Sequence, residues 1–502
     1  MFLQSHSSFR FNPFITIVYC LFLQSQGFCQ EGLNDSIQKT SKAILYSVSS
    51  GALLSTDDNT PFWLRANQFG MVAPQSPAIL LTGSISSDYR DKKWDWGFGV
   101  EAFSTLGRTN QINLPEGYVK GKWGVLEVWG GRRKQIVGLV GDSTLTSGSY
   151  VESGNTIPIP RIQIGFQEYV PFLKGLFAIK GFLAHGWFDA NPIVKNHWLH
   201  QKTLYGRFGK ENWKIRVYGG LNHNVQWGGK ILTPNRWTVG NQNPSDWIDY
   251  WYVISSKRIP TFGYVDPTKY DAIDRGNRIG NHLGSVDLGF EWKFKDSKLI
   301  FYRQSFYDDG SLFNAANLAD GLHGISWKNT KANSHNSILK GVTIEFLNSS
   351  NQGGDIFSLD GGPRGRDDYF NHLQFWGWAY GRSTIGTPFI NPSTESRINL
   401  RTNAFTNNNR VRLIHVGGNG KIRTINYLIK ASFSHNLGTY NIPFNPQANQ
   451  FSTIIDLSKS YQGPKLGKYH GFLKIAADLG QLYPNNIGVY FGVRKNGQFA
   501  KR

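Results

Sequence analysis

The chain of 502 residues has two cysteines, Cys20 and Cys29, and both precede residue 30. If the N-terminus is removed on export, the remainder has no disulfide framework, thiolate metal site or cysteine nucleophile. Long hydrophobic runs are also missing. Beyond residue 30 no stretch reaches the ~20 apolar residues of a membrane helix, and mean hydropathy is −0.36. Charge is sparse, with 54 Lys and Arg against 34 Asp and Glu, a formal +20. The basic residues are scattered, GGRRKQ at 130–135 being the tightest group, so the dense patch or module of a nucleic-acid binder is absent. HExxH is lacking, which removes the common zinc-protease signature, and GxSxG is lacking, which removes the esterase elbow.

Rings and glycine are abundant instead: 16 Trp, 22 Tyr, 34 Phe and 56 Gly. His6 and Arg10 precede the apolar run FITIVYCLFL at 14–23, followed by QSQGFCQE, the form of an export signal. Cleavage is expected between Cys29 and Gln30. A lipoprotein reading of Cys29 is disfavoured because Phe28 stands where a lipobox needs a small residue. NDSIQKTSKAILYSVSSGALL at 34–54 predicts a helix, capped by Asp35 or Ser36, carrying Ile37, Ile44, Leu45 and Val48 on one face and stopped near Gly51. Residues 56–72 follow as an irregular connector. The expected division is a signal peptide over 1–29, helix and connector over 30–75, and a β-rich body over 76–502.

From about residue 79 the period becomes two. Trp94, Trp96, Phe98 and Val100 alternate with Asp95, Gly97, Gly99 and Glu101. Val286, Leu288, Phe290, Trp292 and Phe294 alternate with Asp287, Gly289, Glu291 and Lys293, and Ile487, Val489, Phe491 and Val493 form a third stripe. Weaker strand segments are expected at 118–129, 161–170, 176–187, 213–221, 299–307, 338–347, 398–405, 422–433 and 471–480. Only helices or closed sheets satisfy their backbone in hydrocarbon, and a tilted strand crosses with about 9–11 residues. The alternation therefore predicts a transmembrane β-barrel. A soluble propeller or β-helix could alternate too, but no fixed-period repeat is present. Most rings are expected to serve as interfacial belts or barrel packing. Stretches 227–281 and 349–372 lack alternation and predict long loops or inward plugs.

Candidate chemistry is confined to the segments between these stripes. HWLHQKTLYGRFG at 197–209 and GLNHNVQWGG at 220–229 are taken as loops; His185, His197, His200 and His223 lack metal-ligand spacing. Asp355, Asp360, Asp367 and Asp368 lack the ordered ligands and closing Glu of a calcium loop. Glycoside cleavage would need two facing carboxyls, for which Asp308, Asp309, Asp320, Asp355 and Asp367 are the candidates. Rings interleaved with Arg, Asn and Asp suit a polysaccharide: ring faces meet sugar C–H faces, and Arg makes planar contacts with sugar acids.

Several ordered stretches carry a resemblance to the capsule assembly protein Wzi family, in its Bacteroidetes-type outer-membrane form. They are PFWLRANQFG at 61–70, NHWLHQKTLYGRFG at 196–209, GLNHNVQWGG at 220–229, RIGNHLGSVDLGFEW at 278–292, YRQSFYDDGSLFNAANLADGLHGISW at 302–327 and NHLQFWGWAYGRSTIGTPF at 371–389. The likeness spans roughly 45–500. It implies an all-β outer-membrane barrel of about 18 antiparallel strands, a short N-terminal periplasmic helical segment and a lumen occluded by loops. It also implies a non-enzymatic lectin role in attaching capsular or other surface polysaccharide, without cofactor or metal. The partners expected are that polysaccharide, outer-membrane lipids and the polysaccharide export machinery, with glycan-binding loops facing the cell exterior. Arg366, Trp376, Trp378, Tyr380 and Arg382 form the first expected sugar-facing set; Trp227, Arg236, Trp237 and Trp247 form the second. A porin or uptake barrel for small or anionic solutes is the rival, requiring an open lumen lined by Asp287, Glu291 and Lys293; a surface glycoside hydrolase is the third reading. The chain ends NGQFAKR, so Phe499 would have to supply the terminal aromatic residue on which many outer-membrane barrels finish.

Overall fold

A computed structural model describes residues 42–499, apart from 141, 143, 167, 236–237, 261–264, 309–310, 312–314, 357–364 and 465–466. The expected export signal and both cysteines lie outside the described residues. Eighteen strands form one closed antiparallel barrel. They are β1 Leu45–Ser55, β2 Ala78–Ser87, β3 Trp94–Gly107, β4 Gln111–Trp123, β5 Leu126–Arg132, β6 Arg161–Phe166, β7 Phe177–Trp187, β8 Trp198–Phe208 and β9 Ile215–Trp227. β10 Asn281–Lys293, β11 Ser297–Asp308, β12 Gly321–Asn329, β13 Gly341–Asn348, β14 Val411–Ile422, β15 Ile425–Gly438, β16 Pro443–Gly463, β17 Gly467–Gly480 and β18 Asn486–Gln498 complete the circle. Val170–Phe172 continues the line of β6 along β7 after an interruption.

Closure falls on β1, which pairs with β2 (Val48↔Gly83) and with β18 (Gly51↔Gly492), leaving no open edge. This corrects the helix expected over 34–54. Its first part lies outside the described residues, and its second part is a strand, so the barrel begins at Leu45 and not near 76. Ser49, Gly51 and Leu53 turn inward while Val48 and Leu54 stay exposed. Two edges with unpaired backbone groups outweigh a weak local helical preference.

Alternation holds around the wall. In β10, Leu288 and Trp292 are exposed on the outside, whereas Asp287, Gly289 and Glu291 are buried inside. Exposed Leu204, Leu221, Phe301, Ile325, Ile414, Phe433, Phe451 and Phe491 continue the apolar exterior, as a bilayer core requires. Among the described residues no helix is long and apolar enough to cross a membrane.

The two barrel ends differ. Leu45 meets Gln498 at one end, where 88–93, 124–125, 209–214, 294–296 and 423–424 make short turns. The other end carries the connections 56–77, 133–160, 228–280 and 349–410. Rings gather at the turn end: Trp94 stacks on Trp123 at 5.3 Å, Trp292 on Phe294 at 5.0 Å and Tyr461 on Tyr469 at 5.5 Å. Phe499 joins them beside Tyr46 at 4.9 Å. This is the arrangement of an interfacial belt.

Three local expectations change. The segment 118–129 is a hairpin, broken where Gly124 adopts φ +59°. The segment 398–405 forms no strand: Ile398–Leu400 is a 3-10 turn with no buried residue, and no strand pairs with it. The stretches 197–209 and 220–229, taken as loops, are mostly wall: they hold β8 and β9.

Candidate functional site

The lumen is filled from the long-loop end. β5 and β6 are the shortest strands of their sector, and after Arg132 the chain leaves the wall and crosses the interior. Leu139 N donates to Asp287 Oδ2 on β10 (3.0 Å), Tyr150 N to Gln304 Oε1 on β11 (3.3 Å) and Ser147 N to Glu345 Oε2 on β13 (2.5 Å). The Leu145 carbonyl lies 2.9 Å from His415 Nε2 on β14. A residue with a Cβ at Gly417 would collide with that same carbonyl, so glycine permits the crossing segment to lie against β14. The 56–77 connection adds a short helix, α1 Phe62–Arg65, whose Trp63 Nε1 donates to Ser432 Oγ at 2.9 Å.

A single apolar core results inside the barrel. Leu53, Leu80, Leu283, Phe306, Leu322 and Leu413 from the wall meet Trp63, Tyr150, Tyr369, Phe370, Trp378 and Phe389 from the loops. Tyr150 stacks on Phe306 with ring centres 3.9 Å apart. Sequence reasoning missed 133–160 as a crossing segment, since it has neither alternation nor a motif; its small and polar residues were the available signal.

The 349–410 connection caps this core and separates the first expected sugar-facing set. Trp378 is 1% exposed, and its Nε1 donates to the Val151 carbonyl at 2.7 Å. Tyr380 is buried as well, accepting from Arg132 Nη2 at 2.6 Å. Neither faces solvent: large flat rings fill the barrel mouth and use their polar atoms to pin one loop to the next. Trp376 is half-buried, edge-on to Phe405 at 5.1 Å, while Arg382 is exposed. Arg366 is exposed too and donates to Asn441 Oδ1 at 2.6 Å. The surviving surface set is therefore Arg366, Trp376 and Arg382.

The second set lies elsewhere. The 228–280 connection, expected as a loop or inward plug, folds down the outside of the wall. Outward positions of β9 run Ile215, Val217, Leu221 to Trp227, and the upper part of that stripe is covered by the helix α2 Trp247–Ser255. Trp227 stacks on Tyr250 at 4.9 Å and touches Trp198 at 4.6 Å, within a core of Val225, Val253, Ile259, Tyr270 and Ile279. Trp227 is thus a buried anchor. Trp247 is 86% exposed, and Trp251, one helical turn on and missed in the sequence, is 57% exposed. The i, i+4 spacing behind an Asp246–Asp249 cap was the signal for it; Asp246 N donates to Asp249 Oδ2 at 2.8 Å. Arg236 and Trp237 lie outside the described residues. Outer and inner connections are tied together: Gln374 Nε2 donates to Asp271 Oδ2 at 2.6 Å and Asn235 Nδ2 to the Leu373 carbonyl at 2.9 Å.

No family model matches the chain, and no curated relative matches it. Among solved structures it is similar to Wzi, described as a carbohydrate-binding β-barrel involved in group 1 capsule assembly in Escherichia coli, with TM-score 0.54, 12% identity, 90% of this chain and 84% of that one covered. Lower in similarity are OprD from Pseudomonas aeruginosa (TM-score 0.48, 7% identity, 95% and 96% covered) and OccAB4 from Acinetobacter baumannii (0.47, 10%, 93% and 100%). The fold is that of an outer-membrane β-barrel.

Of the acids expected for hydrolysis, Asp320 holds one connection to the next. Asp320, fully buried, accepts from Asn351 N (2.9 Å), Gln352 N (2.6 Å) and Tyr369 OH (2.9 Å). Burial still pushes its carboxyl above the ordinary range, as it does for Asp368, whose Oδ1 accepts from Asn371 at 3.1 Å. Asp309 and Asp360 lie outside the described residues, and Asp355 is exposed. Among the described residues no three His, Cys, Asp or Glu side chains are grouped to hold a metal. His197 stacks on Phe188 at 4.6 Å inside the wall, whereas His200, His223 and His282 sit beneath the outer cover, with His223 Nε2 3.0 Å from His282 Nδ1. The luminal charges named for a porin are engaged by the protein itself: Asp287 accepts from Leu139 N, Tyr205 OH and Gln304, Glu291 pairs with Arg216 and Lys298, and Lys293 donates to the Glu211 carbonyl at 2.8 Å.

Proposed function

We propose that the chain is a non-enzymatic outer-membrane protein of the Wzi type that holds capsular or other surface polysaccharide at its long-loop end, facing the cell exterior. The observation that carries this is the apolar core inside the barrel mouth, which spends the lumen on fixing loops instead of on a path for solutes. Short turns at one end and long connections at the other correspond to periplasmic and extracellular sides in barrels of this class. The carbohydrate binding described for the Escherichia coli Wzi supports a glycan as the ligand. Arg366 and Arg382 supply the forked cations for sugar carboxylates, Trp376 the ring face, and buried Trp378 and Tyr380 the rigid floor.

The test separates cell-bound from shed polysaccharide in strains with and without the gene. The expected result is unchanged total polymer with a larger shed fraction in the deletion, reversed by the wild-type chain and less well by Arg366→Gln/Arg382→Gln. An unchanged bound-to-shed ratio overturns retention. Steady single-channel conductance of the purified protein would instead support the porin reading.

A further inference from the structure

At the turn end the lumen is not filled. Beneath the crossing segment Val137–Leu139 lies a cavity of about 670 Å³, reaching the Asp88–Asp91 turn and lined by β4–β8. That volume is in the range of small-ligand sites, about 300–1,000 Å³. Six Lys and Arg line it against four Asp and Glu. Most of these charges are matched: Lys120 pairs with Asp88, Arg133 Nη1 with Glu127 Oε1 at 2.7 Å, and Arg90 with Asp95 at 2.8 Å. Lys122 and Lys180 form no ion pair among the described residues, and neither do the lining carboxylates Asp91 and Glu168; those two acids are exposed to water, whereas Lys122 and Lys180 are half-buried.

The rings of this cavity are held in place. Tyr89 OH donates to Glu127 Oε2 at 2.8 Å, and its ring lies 4.3 Å from Lys120 Nζ and 5.2 Å from Lys122 Nζ. Tyr169 stands edge-on to Tyr218 at 5.7 Å. Gln163 and Thr203 add hydrogen-bonding groups. Two unmatched ammonium groups in a walled recess attract an anion more strongly than they would on an open surface. Fixed tyrosine faces beside them suit the C–H face of a sugar ring.

We infer that this turn-end vestibule binds a short acidic saccharide, with Lys122 and Lys180 receiving its carboxylates and Tyr89 and Tyr169 flanking its rings. The saccharide half of this assignment rests on the polysaccharide reading above; the anion half does not. The vestibule is a separate site from the long-loop surface, because the crossing segment and the luminal core lie between them.

The test uses the full chain in detergent, titrated calorimetrically with tetragalacturonate, uncharged maltotetraose and inorganic phosphate. The expected result is binding of tetragalacturonate alone, weakened at least tenfold in Lys122→Gln/Lys180→Gln and weakened by added salt. An unchanged affinity in that variant, or no binding by the wild type, overturns the site. Phosphate binding as tightly as tetragalacturonate overturns the saccharide half. Loss of binding in Arg366→Gln/Arg382→Gln with Lys122→Gln/Lys180→Gln unaffected would place the ligand on the loops, ending the vestibule site while leaving the polysaccharide reading standing. Folding is controlled by a second measurement: Glu168→Cys, on the lining of the cavity but outside the anion-receiving pair, should react with a maleimide, and tetragalacturonate should slow that reaction severalfold. No slowing counts against the site.

Discussion

The two longest connections leave the same end of the barrel and take opposite sides of its wall. The 349–410 connection turns inward, where Tyr369, Phe370, Phe375 and Trp378 are each about 1% exposed or less. The 228–280 connection turns outward, burying Trp227 and Val253 while leaving Trp247, Ile248 and Trp251 more than half uncovered. Both are rich in rings, so composition does not set the difference. Partners do. The inward connection meets apolar wall positions and two other loops, and its approach is close: a Cβ at Gly386 would strike the Tyr150 carbonyl and the Phe370 ring. The outward connection meets a stripe of His200, Lys202, His223 and His282 that would otherwise face lipid, and it shields that stripe with Tyr250 and Val253. One connection builds a core; the other covers a polar defect in the wall.

The largest expected effect follows from that contrast. Trp378→Ala should cost about 3–5 kcal/mol, the range for a large buried ring in a packed core, and should also orphan the Val151 carbonyl. Trp227→Ala should cost less, about 1–3 kcal/mol, because the strand ladder beneath the outer cover is untouched. Urea unfolding in lipid vesicles measures both. If the order were reversed, the inward connection would be an ornament on a self-sufficient barrel, and the comparison would break.

The contrast also explains what could be recognised in the sequence. Strands with a clean period of two, such as 94–102 and 487–494, are where the sequence places them, because lipid outside and small or polar groups inside impose the pattern. β1 was misassigned since its outward Ser50 and inward Leu53 blur that period, and what decides it is pairing with β2 and β18. The rings at 376–380 stand out in the sequence, but exposure depends on which loops pack over them, and no local pattern records that. The sector that crosses the lumen, 133–160, is held by hydrogen bonds to wall residues such as Asp287 and Glu345, far away in sequence.

A smaller, pH-dependent effect should appear at the joint between the two connections. Asp271 caps the short helix α3 Ala272–Gly276, accepting from Ile273 N (2.7 Å) and Asp274 N (2.9 Å), while Gln374 reaches it from the inward side. Burial and then the Asp271 charge raise the Asp274 carboxyl above its ordinary value. The folded segment therefore holds a proton more tightly than the unfolded one. Its stability is full below the ordinary carboxyl pKa of about 4 and is lost as pH rises through the raised value. Hydrogen exchange of 265–280, corrected for intrinsic rates, should be faster at neutral pH than in mild acid. Asp274→Asn should abolish that difference, and persistence of the difference would assign the joint's pH response to another group.

The least effect on stability, and the sharpest separation of the two connections, is expected at Trp247 and Trp251. Both project from a helix that lies on the outer wall, above exposed Leu204 and Leu221, with its Tyr250 edge-on to His185 at 5.8 Å. A ring in that position meets the membrane interface, where its apolar body and N–H are both satisfied. Trp247→Ala and Trp251→Ala should change unfolding stability by less than about 0.5 kcal/mol, as exposed substitutions do. With Cys20 and Cys29 replaced by serine, a spin label at Trp247→Cys or Trp251→Cys gives an unambiguous depth. Oxygen, which partitions into lipid, should relax it more than a water-soluble nickel chelate. The Ala variants should leave shed polysaccharide unchanged, in contrast to Arg382→Gln. A label relaxed chiefly by the chelate, together with increased shedding from Trp247→Ala, would return this ring to the glycan surface and make the outward connection a second binding arm instead of a cover for the wall.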